Sequence, residues 1–503
     1  MKLEFSKAKD GTQTFSADGV FFHSTYSPYK EAERFIQGVN FLFEPKIVFF
    51  IEPGLSYCNE VLKKKYPQCQ TACIRLFNQK LGDEANWDYL IHPADYQQLK
   101  TYLINNFGEE KLLSSTIVFP KITENIFYNE VQQIVNEYKS ALEDSKTLLV
   151  TRQFFEKKWL INSCIFLKYI NNIIKPDFKT ELPVVICASG PSLEQSISII
   201  KQYRNKVFIL CLSSALSVLI KHSIIPDLLL STDGGYWAGE HLKYLKQNPG
   251  IPLAAPCEAF IPKEILQNNP ILALRYNDDS SFICSSIFDL SKIPFQNALR
   301  NPTVSGTGLF LAKNITSNNI FFCGLDLSSS NSFQHSQPNE LEKNNLIFDT
   351  RIKSKQTRIN RSRFNSDSLA IYRNWFSSLN EQEVKNVKRV IIKNTQKPLG
   401  NITDINNDQF QKIIANEQNE NNTTALEKTY FDKLYIHKTF DYIINNLSDE
   451  KWQKQIFPAD YLSLKNNNDE QAKQSTQARL NKRVQQLIKK VRTIADEGQY
   501  NLF

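Results

Sequence analysis

No stretch of this chain is long and apolar enough to cross a membrane. The longest uncharged apolar run, Val207 to Ile220, falls short of the about 20 residues a span needs, and Ser213, Ser214 and Ser217 interrupt it. Met1 to Gly19 is polar and mixed in charge, without the basic-then-apolar order of a secretion signal. The nine cysteines are odd in number and scattered without a framework, which suits a reducing compartment rather than a disulfide scaffold. These absences predict a soluble, unexported, cytoplasmic protein. Cys69 and Cys73 form the only close pair, and no second pair or histidine spacing completes a zinc site around them. They read as small buried residues.

Two nucleotide signatures are missing as well. The G-x-x-x-x-G-K-[ST] loop occurs nowhere, and Gly306 with Gly308 does not satisfy G-x-G-x-x-G. P-loop hydrolases and simple NAD enzymes are therefore poor candidates. No Ser-His-Asp or Cys-His arrangement can be built from local spacing. The net charge of +8 is modest for 503 residues. It favours small anionic substrates such as nucleotides and gives no argument for nucleic acid. The basic cluster Arg479, Lys482, Arg483, Lys489, Lys490 and Arg492 lies off the apolar stripe of its segment and reads as a solvated helix face.

What is present is a conventional folded chain, 41% hydrophobic and 12% aromatic. At ~150 residues per domain its length predicts about three domains. The organisation expected is an α/β domain over 1–119, a helical connector over 120–180, a central Rossmann-like domain over 181–400 and a helical domain over 401–503. The first carries a strand at 46–51 and a helix from Tyr57 to Lys65. In the connector Phe127, Val131, Ile134, Tyr138 and Leu142 step by three and four along one helix face. In the central region, apolar runs at 184–188, 207–210, 227–230, 271–276, 320–323 and 390–392 alternate with helical stretches such as 194–202 and 215–222. Continuous apolar runs separated by helices indicate a parallel sheet covered on both faces. Such sheets bind ligands beyond the carboxyl ends of their strands. In the last region Leu480, Val484, Leu487, Val491 and Ile494 form a short stripe, suited to a core-facing helix or to docking a second subunit.

Four segments follow strands of the central sheet. Ser189-Gly190-Pro191-Ser192 ends the first run and opens a helix, with Ser192 and Gln195 in S-x-x-Q capping-box spacing. Its free N–H groups suit an anion such as a phosphate, and an ordinary capped turn suits the same residues. Ser213 and Ser214 follow the second run, and Thr232, Asp233, Gly234 and Gly235 follow the third. Val304-Ser305-Gly306-Thr307-Gly308 precedes a helix over 309–313. Hydroxyls and small residues at these ends suit a nucleotide's phosphate and ribose, with glycines letting backbone approach it. Asp326 and Asp233 each follow a strand, and a carboxylate there could hold a sugar hydroxyl, a metal or a proton, or simply cap a helix. His335, in a Ser/Asn-rich loop, is either a base or an exposed loop residue. His222 and His241 read as satisfied structural residues.

Taken in order, these segments resemble the motility accessory factor (Maf) family of bacterial flagellin glycosyltransferases. Ser24-Thr-Tyr-Ser-Pro28 with Glu31-Ala32 is similar to that family's N-terminal motif, and Phe49 to Tyr57 to its Gly-rich strand-turn, with Glu52-Pro53 departing from it. Ala188 to Leu193, Ile225-Pro-Asp227, Asp233, Ser305 to Gly308 and Gly324-Leu-Asp326 resemble its central domain. That domain is similar to family 42 sialyltransferases, where Asn stands in place of Ser189 and tyrosines follow at the place of Ser328. There a histidine precedes the counterpart of Asn365-Ser366-Asp367; here only Arg361 and Arg363 are close.

The resemblance implies transfer of a nonulosonate, a sialic-acid-like sugar, from a CMP-activated donor to Ser or Thr hydroxyls of flagellin in the cytoplasm. No cofactor is implied beyond the donor, and a divalent metal is left open. Ser189, Gly190, Pro191, Ser192, Ser213, Ser214, Thr232, Asp233, Ser305, Gly306, Thr307 and Gly308 would hold the donor. Asp326, then Asp233, then His335 are the candidates for the base. The C-terminal helices could carry an oligomer contact. Two alternatives remain: an ATP-using enzyme resembling archaeal pterin pyrophosphokinases, and a flagellin-binding chaperone without catalysis.

Overall fold

The computed structural model describes residues 1–41, 44–92, 99–276, 282–327, 335–357, 367–392, 396–417, 426–466 and 469–497. Ser328, Arg361, Arg363, Asn365 and Ser366, which entered the sialyltransferase resemblance, lie outside the described residues. The chain divides into two compact units, residues 1–154 with 456–483, and residues 155–455 with the chain from Val484 onward.

The first unit opens with three antiparallel strands, β1 (Leu3–Lys7), β2 (Gln13–Ala17) and β3 (Val20–Phe21). A parallel sheet follows, of β4 (Ile47–Ile51), β5 (Gln70–Ile74), β6 (Tyr89–Ile91) and β7 (Ser115–Val118), in the order β6-β5-β4-β7. All five residues of β4 are fully buried, as a continuous apolar run covered on both faces should be. The helix Tyr57–Lys65 packs on one face with Pro28–Gly38. On the other lies the apolar face led by Phe127, Val131, Ile134 and Tyr138, at the start of the helix Tyr128–Tyr169.

The second unit is built on β8 (Asn172–Ile174), β9 (Val184–Cys187), β10 (Phe208–Leu212), β11 (Leu228–Leu230), β12 (Leu253–Pro256), β13 (Pro270–Tyr276), β14 (Gln296–Ala298), β15 (Ile320–Cys323), β16 (Val387–Val390), β17 (Thr403–Ile405) and β18 (Lys428–Thr429). The order is β17-β16-β15-β9-β10-β11-β12-β13-β8-β18, with β14 beside β13. Every pairing is parallel except β18 with β8. The fold is therefore α/β, with a Rossmann-like central sheet, an α/β N-terminal part and long helices after residue 434.

Three expectations need correction. The last central strand is Val387–Val390 rather than 390–392, because Arg389 is carried in it as a buried residue bonded to Asp404. The tail expected to be helical contributes β17 and β18 to the sheet edges. β12, with only Leu-Ala-Ala-Pro to announce it, carries too little periodicity to be read as a strand. The stripe Leu480, Val484, Leu487, Val491 and Ile494 falls on the helix Glu470–Asp496, and every member is buried.

Strand order reverses between β9 and β15: from β9 the chain builds outward to β10, then later crosses to the other side. In a parallel sheet this is where two neighbouring connections diverge and leave a crevice.

Candidate functional site

A cavity of about 590 Å³ opens at that point, within the usual size range of small-ligand sites. Ala188, Ser189 and Gly190 line it after β9, Leu212 and Ser214 at β10, and Thr232 and Asp233 after β11. Gly324 to Leu327 come from the end of β15, and His335 from the segment beyond. Asn301 to Ser305, Leu369 and Tyr372 complete the lining. Residues expected at separate strand ends are thus brought together. Pro191, Ser192, Ser213, Gly306, Thr307 and Gly308 are not among the lining residues.

The turn after β9 is closed by its own hydrogen bonds. Gly190 N–H donates to Gly324 O at 2.8 Å, Ser192 N–H to Asp326 Oδ2 at 2.8 Å, and Leu193 N–H to Gly190 O at 3.0 Å. The expected capping box does not form. Ser192 has helical backbone angles and makes no side-chain cap to the helix Leu193–Gln202. A carboxylate arriving from β15 takes that role, sitting where an anion was expected. Gly190 is required here, since a Cβ would lie 2.4 Å from Gly324 O and 2.6 Å from Asp326 Oδ2.

Asp326 is correspondingly committed. Its other oxygen, Oδ1, accepts from Gln396 Nε2. Burial raises its pKa, opposed by the Ser192 and Gln396 hydrogen bonds and by the charge of Arg389. Both oxygens being engaged, the residue braces two turns and is poorly placed to take a proton from substrate.

The helix Val304–Ile315 offers the open N-terminus. It begins five residues earlier than expected because Thr303 caps it, accepting from Ser305 N–H at 3.4 Å. Gly306 and Thr307 N–H groups turn back to Thr303 O, and among the described residues the Val304 N–H has no partner. Thr303, Val304 and Ser305 all face the cavity, with the positive end of the helix behind them. Gly306 and Gly308 serve packing instead of ligand approach. A Cβ at Gly306 would lie 2.7 Å from the Trp375 ring, and one at Gly308 3.3 Å from Leu212. Thr307 is buried, its hydroxyl bonded to Leu299 O.

Two protic groups complete the lining. Asp233 is exposed, and its Oδ1 accepts from Gly235 N–H at 2.8 Å in an Asx turn. His335 is half-buried rather than an exposed loop residue, with Nδ1 2.9 Å from Ser189 Oγ. Burial lowers its pKa, against a weaker opposing pull from Glu342, so the ring is neutral near pH 7. His241 departs from its structural reading: its Nδ1 is buried with no hydrogen-bond partner among the described residues, and burial, then the charge of His335, lowers its pKa. Thr303, Asn301 and Tyr372 were missed by sequence reasoning. The Thr-Val-Ser start of the helix was the available signal for the first.

Residues 157–332, which include most of these elements, match the family described as "6-hydroxymethylpterin diphosphokinase MptE-like". Two uncharacterized proteins of Treponema pallidum (strain Nichols) are similar. One is 27% identical over 320 residues, 63% of this chain and 68% of the relative. The other is 25% identical over 133 residues, 26% of this chain and 61% of the relative. Among solved structures, a Maf glycosyltransferase from Magnetospirillum magneticum AMB-1 matches 98% of this chain and 92% of its own, with a TM-score of 0.53 and 13% identity. The chain shares the Maf glycosyltransferase fold. At this identity the likeness speaks for architecture, and it extends over nearly the whole chain.

Proposed function

We propose that the chain is a glycosyltransferase, moving a nonulosonate from a CMP-activated donor to Ser or Thr hydroxyls of flagellin in the cytoplasm. The observation that carries this reading is the cavity at the β9/β15 reversal: hydroxyl-lined, backed by an open helix N-terminus, and flanked by a neutral imidazole and an exposed carboxylate. The donor's phosphate fits at Thr303, Val304 and Ser305. As its bond to the anomeric carbon breaks, negative charge collects on the phosphate, and N–H groups fixed there stabilise that charge more in the transition state than before it. Ser189, Ser214 and Thr232 offer hydroxyls for ribose or sugar. The attacking hydroxyl must lose a proton, and Asp233 or neutral His335 can take it. The full-length likeness to a Maf glycosyltransferase supports the reading.

The family match over 157–332 supports a second reading, an ATP-using pterin diphosphokinase. Thermal melting separates the two, since a ligand that prefers the folded state must stabilise it. CMP should raise the melting temperature at millimolar concentration, and ATP with magnesium should not. The activity itself is read from the intact mass of flagellin in cells with and without the gene. A glycosyltransferase predicts loss of a sugar-sized mass, and an unchanged mass would sink the proposal.

A further inference from the structure

His335 meets the cavity with one ring nitrogen already bonded, and the direction of that bond is fixed by its neighbours. Ser214 Oγ donates to Ser189 Oγ at 2.9 Å. The same Ser189 oxygen lies 2.9 Å from His335 Nδ1. A hydroxyl carries one proton and two lone pairs. With Ser214 donating to it, Ser189 has one acceptor for its own proton among the described residues, and that acceptor is Nδ1. Were Nδ1 protonated instead, the Ser189 oxygen would receive two donors, and its own proton would have no acceptor among the described residues. A neutral imidazole has a single N–H, so it sits on Nε2.

The ring is also held in place. Ser336 donates to Ser189 O through both N (2.7 Å) and Oγ (3.1 Å). Gln337 N–H donates to Glu194 Oε1 at 2.9 Å, and Gln337 Nε2 returns to His335 O at 3.2 Å. Residues 335–337 are thereby strapped to the turn after β9.

We infer that Ser214 and Ser189 form a hydroxyl relay that holds His335 as its Nε2–H tautomer, making it a hydrogen-bond donor to the departing phosphate, with Asp233 as the base. The tautomer stands on the hydrogen bonds alone; the donor role rests on the proposed glycosyl transfer. In that step the bond between the anomeric carbon and the phosphate oxygen breaks, and its electron pair stays on that oxygen, facing Nε2–H. The acceptor oxygen forms the new bond to carbon, and its proton passes to Asp233, whose Oδ2 has no partner among the described residues. CMP leaves as the anion, and Asp233 returns its proton to water. Ser189 and Ser214 are positioning residues, since they act through the imidazole.

Side-chain nitrogen NMR of the full-length protein, labelled at its histidines and recorded at neutral pH, reads the tautomer without any substrate. The His335 signal, assigned by its loss in His335→Gln, should show the Nε2–H pattern in the native chain. Ser214→Ala and Ser189→Ala should shift it toward a mixture, and Ser214→Thr, which keeps a hydroxyl, should restore it. An Nδ1–H pattern in the native chain overturns the relay. Turnover of a CMP-activated nonulosonate then tests the role. Glutamine can donate where Nε2–H does but cannot act as a base, so His335→Gln should fall less than about tenfold and His335→Ala about 10²-fold. Asp233→Asn should fall by about 10² or more. Equal losses in the two His335 variants would return the ring to the role of base and overturn the donor assignment. If the native chain turns over no such donor, the glycosyltransferase reading fails while the NMR result still decides the relay.

Discussion

Strand order reverses at an interior point in both larger sheets of this chain, between β4 and β7 in the first unit and between β9 and β15 in the second. Each places a carboxylate at that reversal, and each carboxylate accepts backbone N–H groups of a neighbouring turn. After β4, Glu52 Oε2 takes the Leu76 and Phe77 N–H groups at 2.8 and 3.0 Å. After β15, Asp326 takes the Ser192 N–H. They differ in what stands next to the carboxylate. Beside Glu52 the space is filled: Arg75 bonds to Glu52, to Gly54 O and to Asp83, Trp87 Nε1 donates to Asp83, and Thr123 Oγ1 bonds to Glu52 O. Glu52 is wholly buried and held at a φ of 35°, a strained conformation for a residue with a side chain. Asp326 is bonded to the Ser192 N–H and to Gln396, and beyond it a cavity remains, lined by Ser189, Ser214 and Thr232. A shared strand-end geometry thus yields a structural plug in one sheet and a binding crevice in the other, according to the size and charge of a few side chains.

The largest test of this contrast is Glu52→Ala. Removing one member of a buried ion-pair network leaves Arg75 under-compensated, a loss of about 3–5 kcal/mol. Hydrogen exchange across β4 and β5 should accelerate by orders of magnitude, while β9 and β10 keep their protection. Equal acceleration in both sheets, or none, breaks the comparison.

Acid should find the same difference. His23, next to the plug, accepts the Leu55 N–H at Nε2 and is held neutral, its pKa lowered to about 4 by burial and by Arg75. Between pH 6.5 and about 4 the unfolded chain binds a proton that the folded one refuses, so stability falls with pH through that window. The loss approaches about 3 kcal/mol at the acid end. Burial raises the pKa of Glu52, so its contribution runs the opposite way and increases as pH falls. Comparing the native chain with His23→Gln, whose side-chain oxygen can still accept from Leu55, isolates the imidazole. Denaturant midpoints of the first unit that stay parallel in the two proteins from pH 6.5 to 4 would rule it out.

Much of this arrangement is legible in the sequence. Buried strands such as 184–187 and 320–323 are continuous apolar runs that admit one reading, and the helix face from Phe127 to Tyr138 repeats at helical spacing. The strand-end segments bearing Ser189, Ser214, Thr232, Asp233 and Asp326 could be placed because a parallel sheet gathers its carboxyl ends. Bonds between segments distant in sequence could not be read. Ser192 looked like a cap because its spacing to Gln195 is local, whereas the true cap, Asp326, lies 134 positions away. Gly306 and Gly308 looked like ligand contacts, but Trp375 and Leu212, which explain them, belong to other elements. His335 was uncertain because its partner is a serine 146 residues earlier. Local spacing reports what a segment can do alone, and a site made of several strand ends is settled by contacts that spacing does not encode.

The smallest effects decide where the phosphate sits. Asp326→Ala removes the cap of the helix Leu193–Gln202, at about 1–2 kcal/mol of stability, and uncovers the Ser192 N–H. If the native carboxylate occupies an anion position, inorganic phosphate should raise the melting temperature of this variant more than that of the native chain, and CMP affinity should change little. Ser305→Ala leaves the fold intact and removes one hydroxyl from the mouth of the open helix. A neutral hydrogen bond of about 0.5–1.5 kcal/mol corresponds to a two- to tenfold weaker CMP affinity by calorimetry. The reverse pattern, with CMP binding lost in Asp326→Ala and untouched in Ser305→Ala, would move the phosphate to the turn after β9. The two reversals would then differ less than their side chains suggest, because the carboxylate at β15 would be supporting the ligand instead of replacing it.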